Sequence, residues 1–208
     1  QAEVMAYLLN VDSEYEVVAF TSTQDYLTAP EIYGKPFVGF EKIEKTFPPS
    51  EFEMHIAVGY QDNNRVRERF FNEAKSKGYR LLTYISSRTT NFAKSIGENC
   101  FIFEDNTIQP FVEIGDNCIL WSGNHIGHHS KIGNHNFISS HVVISGHCRI
   151  HSHCFLGVNS TLRDGITIAE GTILGAGCLI VKDTEPWQTY IGIKASVYKK
   201  KNDELKKN

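Results

Sequence analysis

Histidine is the residue type best placed to perform acid–base chemistry in this chain. Eight of the nine histidines lie between positions 125 and 153. A neutral imidazole has an unperturbed pKa of about 6.5, so it can accept a proton near neutral pH. Five of these histidines recur every six residues, and three do not: the first group is His129, His135, His141, His147 and His153, and the second is His125, His128 and His151. The spacing must be explained before a role is assigned to any of them.

The period of six belongs to a repeat that runs from Ile96 to Glu185. Fifteen consecutive six-residue units each begin with isoleucine or leucine, without a slip in register. Neither an α-helix, with a period of about 3.6, nor a single strand, with a period of about 2, produces this pattern. Hexapeptide repeats are typical of parallel β-helices, in which each turn of chain stacks on the one before.

The first and fifth positions of each unit are predicted to face a narrow apolar core, since both point to the same side of an extended segment. All five cysteines stand at fifth positions: Cys100, Cys118, Cys148, Cys154 and Cys178. Their number is odd, and no CxxC motif or paired Cys/His ligand spacing is present. We therefore expect buried structural thiols, which suits a reducing cytosol.

The fourth position is predicted to be the corner of each unit. Fourteen of its fifteen residues are glycine, asparagine, aspartate or histidine, the types that best tolerate a positive φ. The five-histidine ladder occupies this position, so corner geometry explains it better than a metal site does. His128, His125 and His151 stand elsewhere in their units and need another explanation.

The front half has a different pattern. A helix is predicted over 2–10, strands over 15–21, 53–59 and 80–85, and an amphipathic helix over 64–77 with Gly78 as its C-cap. This alternation favours a small parallel, Rossmann-like α/β domain over 1–90, whose first strand and glycine-rich turn we expect to be missing. The β-helix domain is predicted over 91–198, and 199–208 is predicted to be a charged tail.

Charge and hydropathy narrow the function classes. The formal net charge is -3 and the isoelectric point is about 6.3, which gives no electrostatic reason to expect nucleic acid or a membrane surface as a partner. No apolar run approaches the roughly 18 residues of a spanning helix, and no signal peptide is recognised. A cytoplasmic protein is expected.

Several segments resemble the left-handed β-helix sugar acyltransferases. They are HIGHHSKIG (125–133), ISGHCRI (144–150), FLGVNSTLRDG (155–165) and LGAGCLIVKDT (174–184). The nearest types are sialic acid O-acetyltransferases and the nucleotide-sugar N-acetyltransferases of bacillosamine synthesis. The resemblance implies a three-unit coil, a cytoplasmic homotrimer with active sites between neighbouring helices, and acetyl-CoA as acyl donor without a metal.

The resemblance implies that His128 is the general base. Relatives follow this base with an acidic residue that orients it, and here His129 stands in that place. Either His129 orients His128, less strongly than an acidic residue would, or another carboxylate substitutes for it. With three units per coil, His128 stacks under Gly146, and Asp164 and Lys182 follow along the same line. The backbone N–H of Gly146 is the candidate donor to the tetrahedral oxyanion.

The resemblance also implies binding residues for two substrates. Coenzyme A is expected at Gly146, Gly175, Ala176, Gly177, Lys182, Ile193 and Lys194. For the acceptor, strand ends in the front domain supply Thr21, Ser22, Gly59 and Tyr60, since ligands bind at the carboxyl ends of parallel strands. Trp121 and His125 are expected to line the acceptor site on the β-helix.

Three functions remain open. The first is an acetyl-CoA-dependent N-acetyltransferase of a nucleotide-linked amino sugar, which the front domain favours because free sugars need no nucleotide pocket. The second is a sugar O-acetyltransferase on the same fold. The third, least favoured, is a metal-binding β-helix that is not an acyltransferase.

Overall fold

The repeat region folds as a three-sided parallel β-helix in a computed structural model that describes residues 1–194. Each strand pairs in parallel with the strand eighteen residues on, as in the pairing of Ile126 with Ile144, so three units form one coil. The tail predicted over 199–208 lies outside the described residues.

The coil has three faces. Face A contains Tyr84–Ile85, Phe101–Ile102, Ile119–Leu120, Phe137–Ile138, Phe155–Leu156, Ile173–Leu174 and Thr189–Tyr190. Face B contains Thr90–Asn91, Thr107–Ile108, His125–Ile126, Val143–Ile144, Thr161–Leu162 and Leu179–Ile180. Face C contains Ser95–Ile96, Glu113–Ile114, Lys131–Ile132, Arg149–Ile150 and Thr167–Ile168. The chain runs from A to B to C in each coil, through an A–B, a B–C and a C–A corner.

The interior has the predicted composition. Unit-start residues such as Ile126, Ile144 and Leu162 are fully buried, and they pack in one continuous cluster with the fifth-position cysteines. All five cysteines are free and buried. Burial raises the pKa of Cys154 to about 12, which keeps its thiol neutral and unreactive.

The corner prediction is confirmed along the ladder. Fourth-position residues from Asn99 to Gly177 all adopt a positive φ, between 53° and 75°, including the five histidines. Phe111 adopts it as well, with φ of 67°, although an aromatic residue is unfavourable there. Its ring packs 4.7 Å from the ring of His129, between centroids.

The front unit contains two helices and a small mixed sheet. Helix α1 spans Ala2–Val11 and helix α2 spans Arg65–Ser76. Strands β1 (Phe20–Ser22), β2 (Glu31–Ile32) and β3 (Lys35–Gly39) form the sheet, in which β1 is parallel to β3 and β2 is antiparallel to it. Two 3₁₀ helices span Gln24–Tyr26 and Phe40–Lys45.

The three predicted parallel strands of this unit were wrong in extent. Only residues 20–22 of the 15–21 segment pair, and the 53–59 and 80–85 segments meet in one parallel bridge between Met54 and Leu81. A cavity of about 520 Å³ with mostly apolar walls lies between 15–21 and 51–58, so these segments are not neighbours in a sheet. The predicted 80–85 strand ends in Tyr84–Ile85, which already belongs to face A.

The front unit packs on face A and along the C–A corner. Met5 and Leu9 of α1 contact an aromatic layer on face A that includes Phe101, Phe103 and Phe137. This leaves the B–C corner, the vertex opposite face A, on the other side of the chain.

Arg67 of α2 fixes this docking. Its guanidinium is fully buried and donates to the carbonyl oxygens of Gly59, Asn117 and Asn136. Burial lowers the pKa of Arg67 to about 10, so it is still charged at neutral pH. Four carbonyl-type acceptors, with Asn64 Oδ1 as the fourth, replace water around the charge.

Candidate active site

His128 and His129 form a hydrogen-bonded pair at the B–C corner. His128 follows the His125–Ile126 strand directly, and its backbone N–H donates to Gln109 Oε1 at 2.9 Å. Its Nδ1 lies 3.1 Å from Nδ1 of His129, and the two rings are perpendicular. One proton can occupy this contact, so if His128 donates from Nδ1, its Nε2 is free to accept a proton.

His129 is held in place by rings on both neighbouring coils. It stacks on His147 with centroids 4.9 Å apart and an interplanar angle of 15°, and Phe111 packs on its other side. His128 meets His147 edge to face, with centroids 5.0 Å apart. The three histidine side chains are exposed, which leaves room for a substrate beside His128.

Gly146 forms the wall next to His128. A methyl group at this position would lie 2.8 Å from Cε1 and 3.0 Å from Nε2 of His128. It would also lie 3.0 Å from Oδ1 of Asp164. Only the absence of a side chain at Gly146 leaves a slot between the imidazole and the carboxylate.

The surroundings of the Gly146 N–H differ from those of some equivalent groups, although the residue itself is buried. At the same position of three face C units, the N–H groups of Glu98, Asp116 and Asn134 donate to side chains of the next coil, whereas the N–H groups of Asp164 and Lys182 on the B–C corner do not within the described part of the chain. The Gly146 N–H has no such acceptor among residues 1–194. An N–H without an acceptor is the kind of group that an oxyanion requires, and the role of Gly146 as that donor stays a prediction.

The expected coenzyme A residues fall on two corners. Lys182 is exposed and continues the line of His128, Gly146 and Asp164 along the B–C corner. The remaining five lie at or beyond the A–B corner, on the far edge of face B, and are Gly175, Ala176, Gly177, Ile193 and Lys194. One chain does not bring the two groups together.

The expected acceptor residues are also dispersed. Thr21 and Ser22 are in the β1–β3 sheet, where Thr21 Oγ1 donates to the Val38 carbonyl. Tyr60 packs on Phe137 and Phe155 of face A, with centroids 5.1 and 4.8 Å away.

The other three acceptor candidates differ in their surroundings. The Gly59 carbonyl accepts from Arg67. Trp121 stacks on Phe103 on face A at 4.3 Å with nearly parallel rings. His125 is on face B, paired with Val143. None of these six residues lies on the B–C corner with His128.

A second histidine cluster holds helix α2 on the C–A corner. His135 Nε2 lies 3.4 Å from Oε1 of Glu68, and His153 Nε2 lies 3.1 Å from its Oε2. Desolvation lowers the pKa of His135 to about 4, so it is neutral at pH 7.

A chain of hydrogen bonds sets the tautomer of His135. The Ile56 N–H donates to Asn99 Oδ1, so Asn99 donates from Nδ2 to Asn117 Oδ1. Asn117 then donates to Nδ1 of His135 at 2.8 Å, which leaves the ring proton on Nε2, facing Glu68. A histidine that binds a metal through Nε2 needs its proton on Nδ1. This cluster is a hydrogen-bonded latch between the two parts of the chain.

Three residues at the B–C corner make contacts that the sequence analysis does not predict. The sequence predicts Asp164 only as a later member of the His128 line and His147 only as a corner residue, and it assigns no role to Gln109. The spacing of eighteen from Gly146 to Asp164, and from His129 to His147, was the signal that these side chains meet. Gln109 contacts His128 at a spacing of nineteen, which no repeat rule predicts.

The repeats match a known family model. Residues 94–128, 115–146 and 147–182 match the bacterial transferase hexapeptide model of six repeats. The acetyltransferase domain of PglB from Neisseria gonorrhoeae FA1090 superposes with a TM-score of 0.81 at 25% identity, covering 91% of each chain. The repeat region therefore matches the hexapeptide-transferase model, and the chain has the left-handed β-helix fold of that acetyltransferase domain.

Two further solved structures share the fold of this chain. PerB from Caulobacter crescentus, in complex with CoA and GDP-perosamine, has a TM-score of 0.81 at 24% identity, covering 95% of this chain and 92% of PerB. WeeI from Acinetobacter baumannii AYE has a TM-score of 0.74 at 20% identity, covering 92% and 91%. No curated protein matches the chain. Among the described residues, no helix has the length and apolar character to span a membrane.

Proposed function

We propose that this chain transfers an acetyl group from acetyl-CoA to the amine of a nucleotide-linked amino sugar. The observation that carries the proposal is the B–C corner, where an imidazole and a free N–H flank a slot that only glycine leaves open. An acyl transfer from a thioester needs these two groups: a base for the nucleophile and a donor for the oxyanion.

The step balances without a covalent enzyme intermediate. The amine nitrogen attacks the thioester carbonyl carbon, and His128 Nε2 takes the proton that the amine loses. The Gly146 N–H donates to the oxyanion of the tetrahedral intermediate. The C–S bond then breaks, the amide is formed, and the proton passes from His128 to the departing thiolate. The described cysteines are buried, so none can act as a competing nucleophile.

His129 acts here as the positioning residue for His128. Its Nδ1 accepts the Nδ1 proton of His128, which fixes the tautomer in which Nε2 is free. A neutral acceptor stabilises the imidazolium of the base less than a carboxylate would, since it supplies no opposite charge.

Assembly of three chains would complete the site. The front unit contacts face A and the C–A corner, whereas His128 is at the opposite vertex. Face B carries exposed apolar side chains, with Val143, Leu179 and Val181 at 38%, 68% and 45% exposure. If face B is turned toward a three-fold axis, the B–C corner of one chain meets the A–B corner of the next. A trimer would thereby join the two groups of coenzyme A residues.

The nucleotide-linked acceptor is supported by a structural relative. PerB was solved with CoA and GDP-perosamine and shares the fold over both parts of this chain. A free sugar would not require the α/β front unit for binding, whereas a nucleotide-linked sugar offers a nucleotide that this unit could bind.

Product analysis tests the transfer to nitrogen. The purified protein is incubated with acetyl-CoA and either GDP-linked amino sugars or free sialic acid, and the products are examined by mass spectrometry before and after hydroxylamine. An acetylated nucleotide sugar that resists hydroxylamine is expected, because an amide is not cleaved as an ester is. A labile acetyl group, or acetylation of sialic acid alone, would overturn the proposal in favour of a sugar O-acetyltransferase.

A further inference from the structure

Three imidazoles converge at the B–C corner in an arrangement that the transfer reaction does not require. His128, His129 and His147 each present a ring nitrogen within 4.8 Å of the other two. His128 and His129 approach through Nδ1 atoms 3.1 Å apart, and His129 and His147 stack with centroids 4.9 Å apart. All three side chains are exposed, so an ion could reach them from solvent and keep water as a further ligand.

We infer that this three-histidine corner binds one divalent transition metal ion, such as Zn²⁺, and that the bound ion inhibits the enzyme. Neutral imidazole is a preferred ligand of Zn²⁺, and two nitrogens bound to one tetrahedral ion at about 2.1 Å each stand somewhat over 3 Å apart. The 3.1 Å separation of the Nδ1 atoms is close to that spacing. The Glu68, His135 and His153 cluster lacks this property, since Asn117 holds the proton of His135 on Nε2.

Inhibition follows whichever nitrogen of His128 binds the ion. If Nε2 binds, the lone pair that accepts the substrate proton is occupied. If Nδ1 binds, its proton moves to Nε2 and the ring has no acceptor left. Binding requires neutral imidazoles, so it weakens as the pH falls. The inhibition depends on the proposed function, whereas the binding does not.

A matched pair of corner variants tests the binding. His147→Asn removes one ligand, and His141→Asn removes a histidine of the same backbone conformation from the A–B corner. Their φ values are 57° and 58°, which asparagine tolerates. Zn²⁺ is titrated into each protein by calorimetry without substrates, and Co²⁺ binding is followed by its absorption spectrum.

We expect one Zn²⁺ per chain for the wild type and for His141→Asn, and an affinity at least about tenfold lower for His147→Asn. Absence of stoichiometric binding, or equal affinity in all three proteins, would overturn the inference. In the thiol-release assay, Zn²⁺ should inhibit the wild type reversibly and His147→Asn about tenfold more weakly. Binding without any turnover would leave the metal site standing and count against the proposed function instead.

Discussion

His128 and His129 hold their Nδ1 atoms 3.1 Å apart, so a histidine occupies the place where the resembled enzymes have an acidic residue. When both imidazoles are neutral, one of their two N–H protons can occupy this contact. The stack on His147 restricts the ring of His129. The Nδ1 contact between His128 and His129 is thereby held beside Gly146 on the next coil. In the proposed reaction, the reactivity of His128 therefore depends on its contact with His129.

Replacing His129 should change the pH dependence of the reaction. In His129→Asp, a carboxylate next to His128 stabilises the imidazolium, so the acidic limb of the kcat/KM profile should move to higher pH. In His129→Gly, loss of the partner should lower kcat roughly tenfold, as part of the general-base contribution. Aspartate and glycine both tolerate the φ of 60° at this corner. Identical profiles for the wild type and His129→Asp would show that the pair has no role in the reaction.

Removal of the base itself should have the largest effect. His128→Ala is expected to lower kcat by about two to four orders of magnitude, the usual contribution of a general base. His151→Ala is the control, because His151 is an exposed histidine on face C, away from the Gly146 slot. Thiol release is measured for both variants at saturating acetyl-CoA. Near-full activity of His128→Ala would show that His128 is not the general base.

The slot at Gly146 should be intolerant of a methyl group. Gly146→Ala places a carbon 2.8 Å from His128 Cε1, so the imidazole must move, and misplacement of a reacting group by about 1 Å costs on the order of 100-fold in rate. The control is Gly165→Asn in the next coil, where the backbone has a φ of 72° and open space surrounds the position. Steady-state kinetics should show a much reduced kcat for the first variant alone. Equal kcat values would contradict the proposed wall.

Assembly should depend on the apolar strip of face B. Leu179→Glu places a charge where a neighbouring chain is proposed to pack, so light scattering should report smaller particles and the assay lower activity. Arg149→Glu, an exposed change on face C, should leave both unchanged. A Leu179→Glu protein of unchanged mass and activity would rule out face B as the interface.

The latch at the C–A corner should make stability depend on pH. The pKa of His135 is lowered to about 4, so between about pH 6.5 and 4 the unfolded chain binds a proton there that the folded chain does not. Stability is therefore lost as the pH falls through this window. Relative to His135→Asn, the wild type should lose about 2 kcal/mol more of its unfolding free energy between pH 7 and 4.5. Denaturant titrations of both proteins at the two pH values measure the unfolding free energy. Equal losses in the two proteins would show that His135 does not contribute to the pH dependence of stability.

The β-helix could be predicted because its constraints are local and repeated. An inward isoleucine such as Ile144 and a corner residue such as His141 each obey a rule that recurs every six residues, so fifteen units support one another. The coil of eighteen then follows from the parallel pairing of identical units.

The front unit and the site chemistry could not be predicted to the same depth. Apolar segments such as 15–21 predict strands, but their pairing depends on which segments become neighbours, and a cavity separates this one from 51–58. Likewise, a charged residue such as Arg67 in an amphipathic helix is expected to face solvent. In the structure it is buried and donates to carbonyl oxygens of the β-helix coils. Contacts of this kind depend on the docking of two units that share no repeat.

A thiol-release assay with acetyl-CoA and a panel of GDP-, UDP- and dTDP-linked amino sugars tests the proposed transfer. We expect turnover with at least one nucleotide-linked amino sugar, no turnover with the corresponding free sugar, and loss of turnover in His128→Ala. If the protein is folded and binds coenzyme A but releases no thiol with any member of the panel, the proposed function is contradicted.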